Sequence, residues 1–486
     1  MTSRETPQLP NPATSALAGF TAATRYEHLS PATIHATKRL MLDTVGCAVA
    51  GAHTEPAEIV IDVLRDQGGK PEASLLGRAG KLPAARAAWF NCYTANVLDA
   101  CDDLHYKAHI ASAAIPAAYA MAERQNAPGR DLIAATAVGY DVAARVGMAL
   151  KGLIIDKGEL KFAPTTGYGW CGLACGAGAA NLLRLDAERA RNAIAVTAVS
   201  LPVPSSTQHS ECSGRTMAKY AMYGVMAEGG ITAALLAEKG FTGLPAILDG
   251  DKGLWRALGS LGCDFDVMTE RLGERFYIEE TSFKIYPACR FTNSVSDMFY
   301  AMLATHRWAP DEIERIDVGL IGPALAKHID DPTVTTFVDG QFSMPYLLAV
   351  AAHGVPPGRH WHTAETRARA DIRAFADKVF VHVEPTASRA AADDIARYGH
   401  ARRLPASLRV VARGQVHEAY SEWSRGDVYT PETALSDADL EAKFRGFLYG
   451  LLPAARIEQA IDLIWNLENI PDIGTISQVL TPKDRP

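Results

Sequence analysis

Residues 91–123 read NCYTANVLDACDDLHYKAHIASAAIPAAYAMAE. The first half of this stretch packs Asp99, Asp102, Asp103, His105, Lys107 and His109 into eleven residues. The second half is a run of Ala, Ile and Met, too apolar for a solvated helix face. A dense ionisable cluster therefore leads straight into a helix predicted to be buried from about Ala111. Burying carboxylates and imidazoles is costly unless they are paired or titrate with shifted pKa values. Such a cluster is a functional-site candidate on physical grounds. The plainer alternative is an acidic loop in which Asp102 and Asp103 favour the helix N-terminus. Two His within the same few residues weigh against it.

Helical spacing extends on both sides of this stretch. Ser30-Pro31 has the form of an N-cap followed by Pro at the first helical position. Leu40, Met41, Val45 and Val49 continue that helix towards Gly51, and 86–96 and 131–150 repeat the pattern. Residues 167–185, GYGWCGLACGAGAANLLRL, are rich in Gly and Ala. Gly167, Gly169 and Gly172 match GxGxxG, a weak signal alone, and the preceding KGELKFAPTT is expected to make a poor strand. The better reading is a helix whose small residues let its neighbours approach. Further helices are expected over 187–201 and 216–239.

From about residue 276 the texture changes. Ile316, Val318 and Leu320 alternate with polar or small residues, as do 380–383 and 408–416, with helical pieces at 341–353 and 364–377. After Ser436 the spacing is helical again. The predicted fold is mainly α. A large all-helical domain spans 1–275 plus 421–486, and a smaller α+β lid domain at 276–420 is inserted before the C-terminal helices.

A chain of 486 residues exceeds one ordinary core, so two or more domains are expected. Hydrophobic residues make up 48% and charged residues 21%, and the net charge is −7. That balance, without a Lys/Arg run, argues against nucleic acid or an anionic membrane surface as partner. No uninterrupted apolar run reaches the roughly 18 residues that span a bilayer, and the N-terminal segment lacks an apolar signal-peptide core. The eight Cys form no CxxC pair and sit mostly in apolar contexts. They read as small buried hydrophobes of a cytoplasmic protein.

Two lysines stand out by context. Lys219 lies in GRTMAKYAMYGVMAEGG and Lys284 in SFKIYPACRF. A Lys in apolar surroundings has a depressed pKa or a nearby anion, unless it snorkels to solvent. Together with the Asp/His cluster these ammonium groups suit a polycarboxylate substrate, cations holding carboxylates while His or Asp moves a proton.

The chain resembles the 2-methylcitrate dehydratase and cis-aconitate decarboxylase (MmgE/PrpD) family. The resemblance is carried by MLDTVGCAVAGA (41–52), DDLHYKAHIASAAIPAAYAMAE (102–123) and DLIAATAVGYDVAARVG (131–147). Further on it rests on AKYAMYGVMAEGGITAALLAEKGFTG (218–243), FKIYPACRFTNSVSD (283–297), GQFSMPYLLAVAAHG (340–354) and ARIEQAIDLIWNLENIPDIGTISQVL (455–480). It implies a helical domain formed by both chain ends, an α+β lid and a homodimer. It also implies a site between the domains that needs no metal or cofactor and uses Asp102, His109, Lys219 and Lys284. Asp103, His105 and, as a weaker auxiliary, Arg290 join as substrate-binding residues. Two departures bear on substrate: Ala163 and Asn293 stand where relatives often carry His. One apparent extra residue over 99–103 leaves the choice among Asp99, Asp102 and Asp103 open.

The expected function is a cofactor-free lyase, a dehydratase or decarboxylase, that abstracts a proton α to a carboxylate of a small di- or tricarboxylate. The first alternative is an epimerase or isomerase of a related diacid such as iminodisuccinate, with His109 and Lys219 as bases on opposite faces. Two others are a metalloenzyme built on His105 and His109, with Asp102 and Asp103 close by and His360-x-His362 downstream, and a binding protein that has lost its chemistry.

Overall fold

The computed structural model describes residues 12–163, 168–201 and 215–482. The protein is mainly α, and among the described residues one sheet has more than two strands, within 313–421. Ser30 caps Pro31–Gly51 by accepting a hydrogen bond from the Thr33 amide at 3.0 Å, with Pro31 in the first turn. Ala84–Asn96, Ala111–Gln125, Gly129–Ala149, Gly172–Leu182 and Ala218–Glu238 then pack on one another as the helical core.

Small residues set how closely these helices approach. A Cβ at Gly139 would fall 2.5 Å from the Ala174 carbonyl oxygen, and one at Gly230 would fall 2.6 Å from Cys175 Cβ. Gly172–Leu182 is therefore a packing helix, as its composition suggests; Gly167 of the GxGxxG match lies outside the described residues. Gly129–Ala149 is long and apolar enough to span a membrane, but that apolar window is wholly buried inside the protein. It also encloses an Asp141–Arg145 ion pair of 2.6 Å.

One local expectation is corrected here. Glu159–Phe162, within the supposed poor strand, pairs antiparallel with Leu153–Asp156. Lys157 and Gly158 both take positive φ, 50° and 83°, which gives a two-residue turn that matches strand twist. Pro164 comes only after the strand has ended. This two-stranded hairpin is not the parallel strand–helix unit that a dinucleotide fingerprint requires.

The larger sheet runs Gln415–Ser421, Ala406–Ala412, Ile313–Leu320, Val379–Val383, with only the last pair parallel. The alternation read over 408–416 breaks at Arg413 and Gly414, which turn the chain back with φ of 51° and 68°. The expected helix over 364–377 is two pieces, Ala364–Ala368 and Ala370–Ala376, parted by an extended Arg369. Beyond the sheet, Asp437–Leu448 packs on Pro31–Gly51, with Lys443 paired to Asp43 and the Phe444 ring over Gly46. The Tyr119 hydroxyl donates to the Ile473 carbonyl at 2.8 Å. The end of the chain thus lies on helices from its beginning.

A short clasp positions the ionisable cluster. Asp102–Asp103 pairs antiparallel with Ser282–Phe283, and the Phe283 amide donates to the Gly426 carbonyl at 3.0 Å. Gly426 has φ of +98°, and a Cβ there would lie 2.0 Å from the Phe283 carbonyl oxygen. Only glycine fits this crossing. The pairing delivers residue 284 to the loop around residue 99.

Candidate active site

Asp99 is the hub. Its Oδ1 accepts from Lys284 Nζ at 2.6 Å, its Oδ2 from Lys219 Nζ at 3.4 Å, and its main-chain oxygen from Lys284 Nζ at 3.0 Å. His109 Nε2 lies 3.7 Å from Asp99 Oδ1 and 3.5 Å from Lys284 Nζ. Asp99, His105 and Tyr106 all have positive φ, a left-handed backbone that costs non-glycine residues energy and concentrates at functional sites.

Each group is held by a different element. Lys219 sits in the first turn of Ala218–Glu238, where the helix N-terminus adds positive potential, and its amine lies over the Tyr220 and Phe342 rings. His109 ends the loop just before Ala111–Gln125. Its Nδ1 is 2.6 Å from the Asp102 main-chain oxygen, which can only accept. Nδ1 therefore carries the proton, and the Nε2 lone pair faces Lys284 and Asp99.

Electrostatics follow from burial against charge. Burial alone would raise the Asp99 carboxyl, but Lys219 and Lys284 hold it well below the usual range, so it is ionised. Burial brings Lys219 down to about 8, with Asp99 opposing the shift. Lys284 is raised, because the desolvation that would lower it is outweighed by Asp99. Burial and then the Lys284 charge push His109 well below its ordinary value, so its imidazole is neutral.

These residues meet at a cavity of about 1260 Å³, open mouth included. Asp99, His109 and Lys219 line it together with Asp103, His105 and Arg290; Lys284, fully buried, stands behind Asp99.

The structure places several of these residues differently from the sequence expectation. The carboxylate that meets both ammonium groups is Asp99, not Asp102. Asp102 accepts from the Ala111 amide at 3.1 Å and leaves its other oxygen buried without a partner. Desolvation pushes its carboxyl up to about 8. Asp103 lines the cavity and is pushed up to about 6 by burial. His105 is turned aside: its Nε2 lies 3.0 Å from Glu280, and its Nδ1 bonds the Tyr429 hydroxyl. Arg290 is ion-paired with Asp427, which also accepts from the Tyr106 hydroxyl at 2.9 Å.

The metal alternative loses its geometry. His105 and His109 face different partners, and His362 Nε2 lies 2.6 Å from the Pro287 carbonyl oxygen. Among the described residues no group of three His, Cys, Asp or Glu side chains is placed to hold a metal ion.

Sequence reading passed over Lys327, Tyr168 and Cys289, which also line the cavity. Lys327 lies in PALAKHID, the same kind of apolar context that drew attention to Lys219 and Lys284. Lys107 lines the cavity too, but its amine caps a helix end by donating to the carbonyls of Gly147, Met148 and Leu150.

Comparison with known proteins places the chain in a family. Residues 15–262 match the MmgE/PrpD N-terminal domain and residues 286–468 match the MmgE/PrpD C-terminal domain. The chain is 25% identical to the cis-aconitate decarboxylase of Homo sapiens over 470 residues, 93% of this chain and 91% of the relative. It is 24% identical to the Mus musculus cis-aconitate decarboxylase, covering 96% and 93%. A cis-aconitate decarboxylase of Aspergillus terreus matches at 24% over 64% of this chain and 66% of its own length. With both family domains matched in order across most of its length, the chain belongs to the MmgE/PrpD family, and it is a lyase.

Proposed function

We propose that this lyase acts without a cofactor on a small di- or tricarboxylate, by proton transfer at a carbon activated by a carboxylate. The observation that carries the proposal is the convergence of Lys219, Lys284 and His109 on Asp99 at one buried cavity wall. A carbon next to a carboxylate is a poor acid, and preorganised cations in a site that excludes water best stabilise the charge that develops there. Lys219 faces the ligand directly. Lys284 acts through Asp99, fixing the carboxylate that tethers Lys219.

The first candidate reaction is decarboxylation of an unsaturated tricarboxylate of the cis-aconitate kind, the substrate named for the relatives. The carbon–carbon bond to one carboxylate breaks and CO2 leaves. The electron pair passes into the allylic system, and a carbon of that system takes up a proton. His109 is the proposed proton carrier. In the free protein it is neutral, and a bound polycarboxylate raises its pKa by placing negative charge beside it. Lys219 holds a carboxylate and, with a pKa near 8, can resupply the proton.

An isomerase is the second reading, favoured by the way His109 and Lys219 face one cavity and so provide two proton carriers. Incubation with a panel of di- and tricarboxylates, followed by proton NMR in heavy water, separates the cases. Decarboxylation yields a product one carbon shorter with deuterium at the protonated carbon. Dehydration yields an alkene, and epimerisation yields exchange without net loss. We also propose a cytoplasmic homodimer of a helical domain and an α+β lid. A monomer in sedimentation at micromolar concentration would remove the dimer.

A further inference from the structure

Lys327 follows the short helix Gly322–Leu325, and its side chain lines the same cavity as Asp99, His109 and Lys219. It is 7% exposed. Its ammonium lies 4.7 Å from the Phe162 ring centroid and 5.2 Å from that of Phe291. Among the described residues it has no carboxylate and no hydrogen-bond acceptor. Of the other cations here, Lys284 is committed to Asp99, Arg290 to Asp427 and Lys107 to main-chain carbonyls, while Lys219, 3.4 Å from Asp99, has a counter-charge beside it as it faces the cavity.

Aromatic faces stabilise a cation without neutralising it. A desolvated ammonium that lacks a counter-charge is unfavourable, so the chain keeps it buried at a cost that an incoming anion would remove. Lys219 and Lys327 line the same cavity, so one ligand can meet both ammonium groups. We propose that Lys327 binds a substrate carboxylate remote from the reacting carbon, which makes a second carboxylate a requirement for recognition. This rests on the reading of the site as a polycarboxylate site and adds to it the residue that counts the carboxylates.

Titration of the full chain with two unreactive probes, propane-1,2,3-tricarboxylate and butyrate, tests the proposal. Lys327→Met should weaken tricarboxylate binding about 10- to 100-fold, the range of a charge-assisted contact. Butyrate affinity should stay unchanged, and Lys327→Arg should recover most of the loss. Equal tricarboxylate affinity in wild type and Lys327→Met overturns the proposal. So does equal loss for both probes, or a wild type that binds tricarboxylate no better than butyrate. The reaction is judged apart. Lys327-dependent binding with no turnover of any polycarboxylate would refute the reaction and keep the subsite; turnover unaffected by Lys327→Met would do the reverse.

Discussion

His109 takes its orientation from the main-chain oxygen of Asp102, 2.6 Å from Nδ1, and not from that residue's carboxylate. The bond fixes the tautomer and aims the Nε2 lone pair at Lys284 and Asp99. His109→Ala should lower kcat by about 10²- to 10⁴-fold, the usual contribution of a general acid or base. Substrate affinity should change little, because the cations remain. Steady-state kinetics and titration on the same variant check both halves, and turnover near wild type would remove His109 from the mechanism.

Asp99 and Asp102 are three residues apart and should respond in opposite ways. Asp99→Asn strips the counter-charge from a fully buried Lys284, and breaking a buried pair costs about 3–5 kcal/mol. Activity should fall with stability. Asp102→Asn should be tolerated at neutral pH, since the folded carboxyl, raised to about 8, already holds a proton there. Between the unfolded value near 4 and the folded value near 8, the folded state keeps a proton that the unfolded state has lost. Stability from this group is therefore full below pH 4 and lost as pH rises towards 8. Relative to wild type, Asp102→Asn should gain on the order of 4 kcal/mol between pH 5 and 8. Calorimetry across that range decides it, and parallel curves would show that Asp102 does not titrate there.

Lys219 titrates near pH 8, so activity that needs its ammonium should decline above that pH. The alkaline limb of kcat/KM should report this group in the free enzyme. Lys219→Ala should remove the limb and raise KM as well as lower kcat, because a substrate carboxylate loses its partner. An alkaline limb that persists in Lys219→Ala assigns it to another residue.

Arg290 belongs to the architecture of the cavity more than to the ligand. Arg290→Met leaves Asp427 buried without its partner, a loss of about 3–5 kcal/mol. Adding Asp427→Asn, which removes the stranded charge and can still accept from the Tyr106 hydroxyl and the Ser424 amide, should restore part of it, and KM for the best substrate should remain within a few-fold of wild type in the double variant. A large KM increase that survives in the double variant would return Arg290 to substrate binding.

Much of the fold could be read from residue patterns, because long helices leave a strong period. Pro31–Gly51, Gly129–Ala149 and Ala218–Glu238 lie close to where their apolar spacing and caps place them. Short strands leave little period, and Glu159–Phe162 escaped notice because its neighbouring Pro was taken as a break. Pro385–Tyr398 was missed because it is rich in Ala, Asp and Arg and half solvated. For the site, the types of residue were legible, since buried charge must be paired or used. Which Asp meets the lysines was not. That depends on the left-handed turn at Asp99 and on the register of Asp102–Asp103 against Ser282–Phe283, across about 180 residues of chain.

The central claim is that this cavity moves a proton at a carbon next to a carboxylate, with His109 as the carrier. Its most direct test is proton NMR in heavy water with cis-aconitate and related tricarboxylates, comparing wild type with His109→Ala. We predict that wild type incorporates solvent deuterium at one carbon beside a carboxylate while releasing CO2, and that His109→Ala slows this by at least about 100-fold. Wild type that binds these tricarboxylates yet forms no new carbon–deuterium bond would contradict the account.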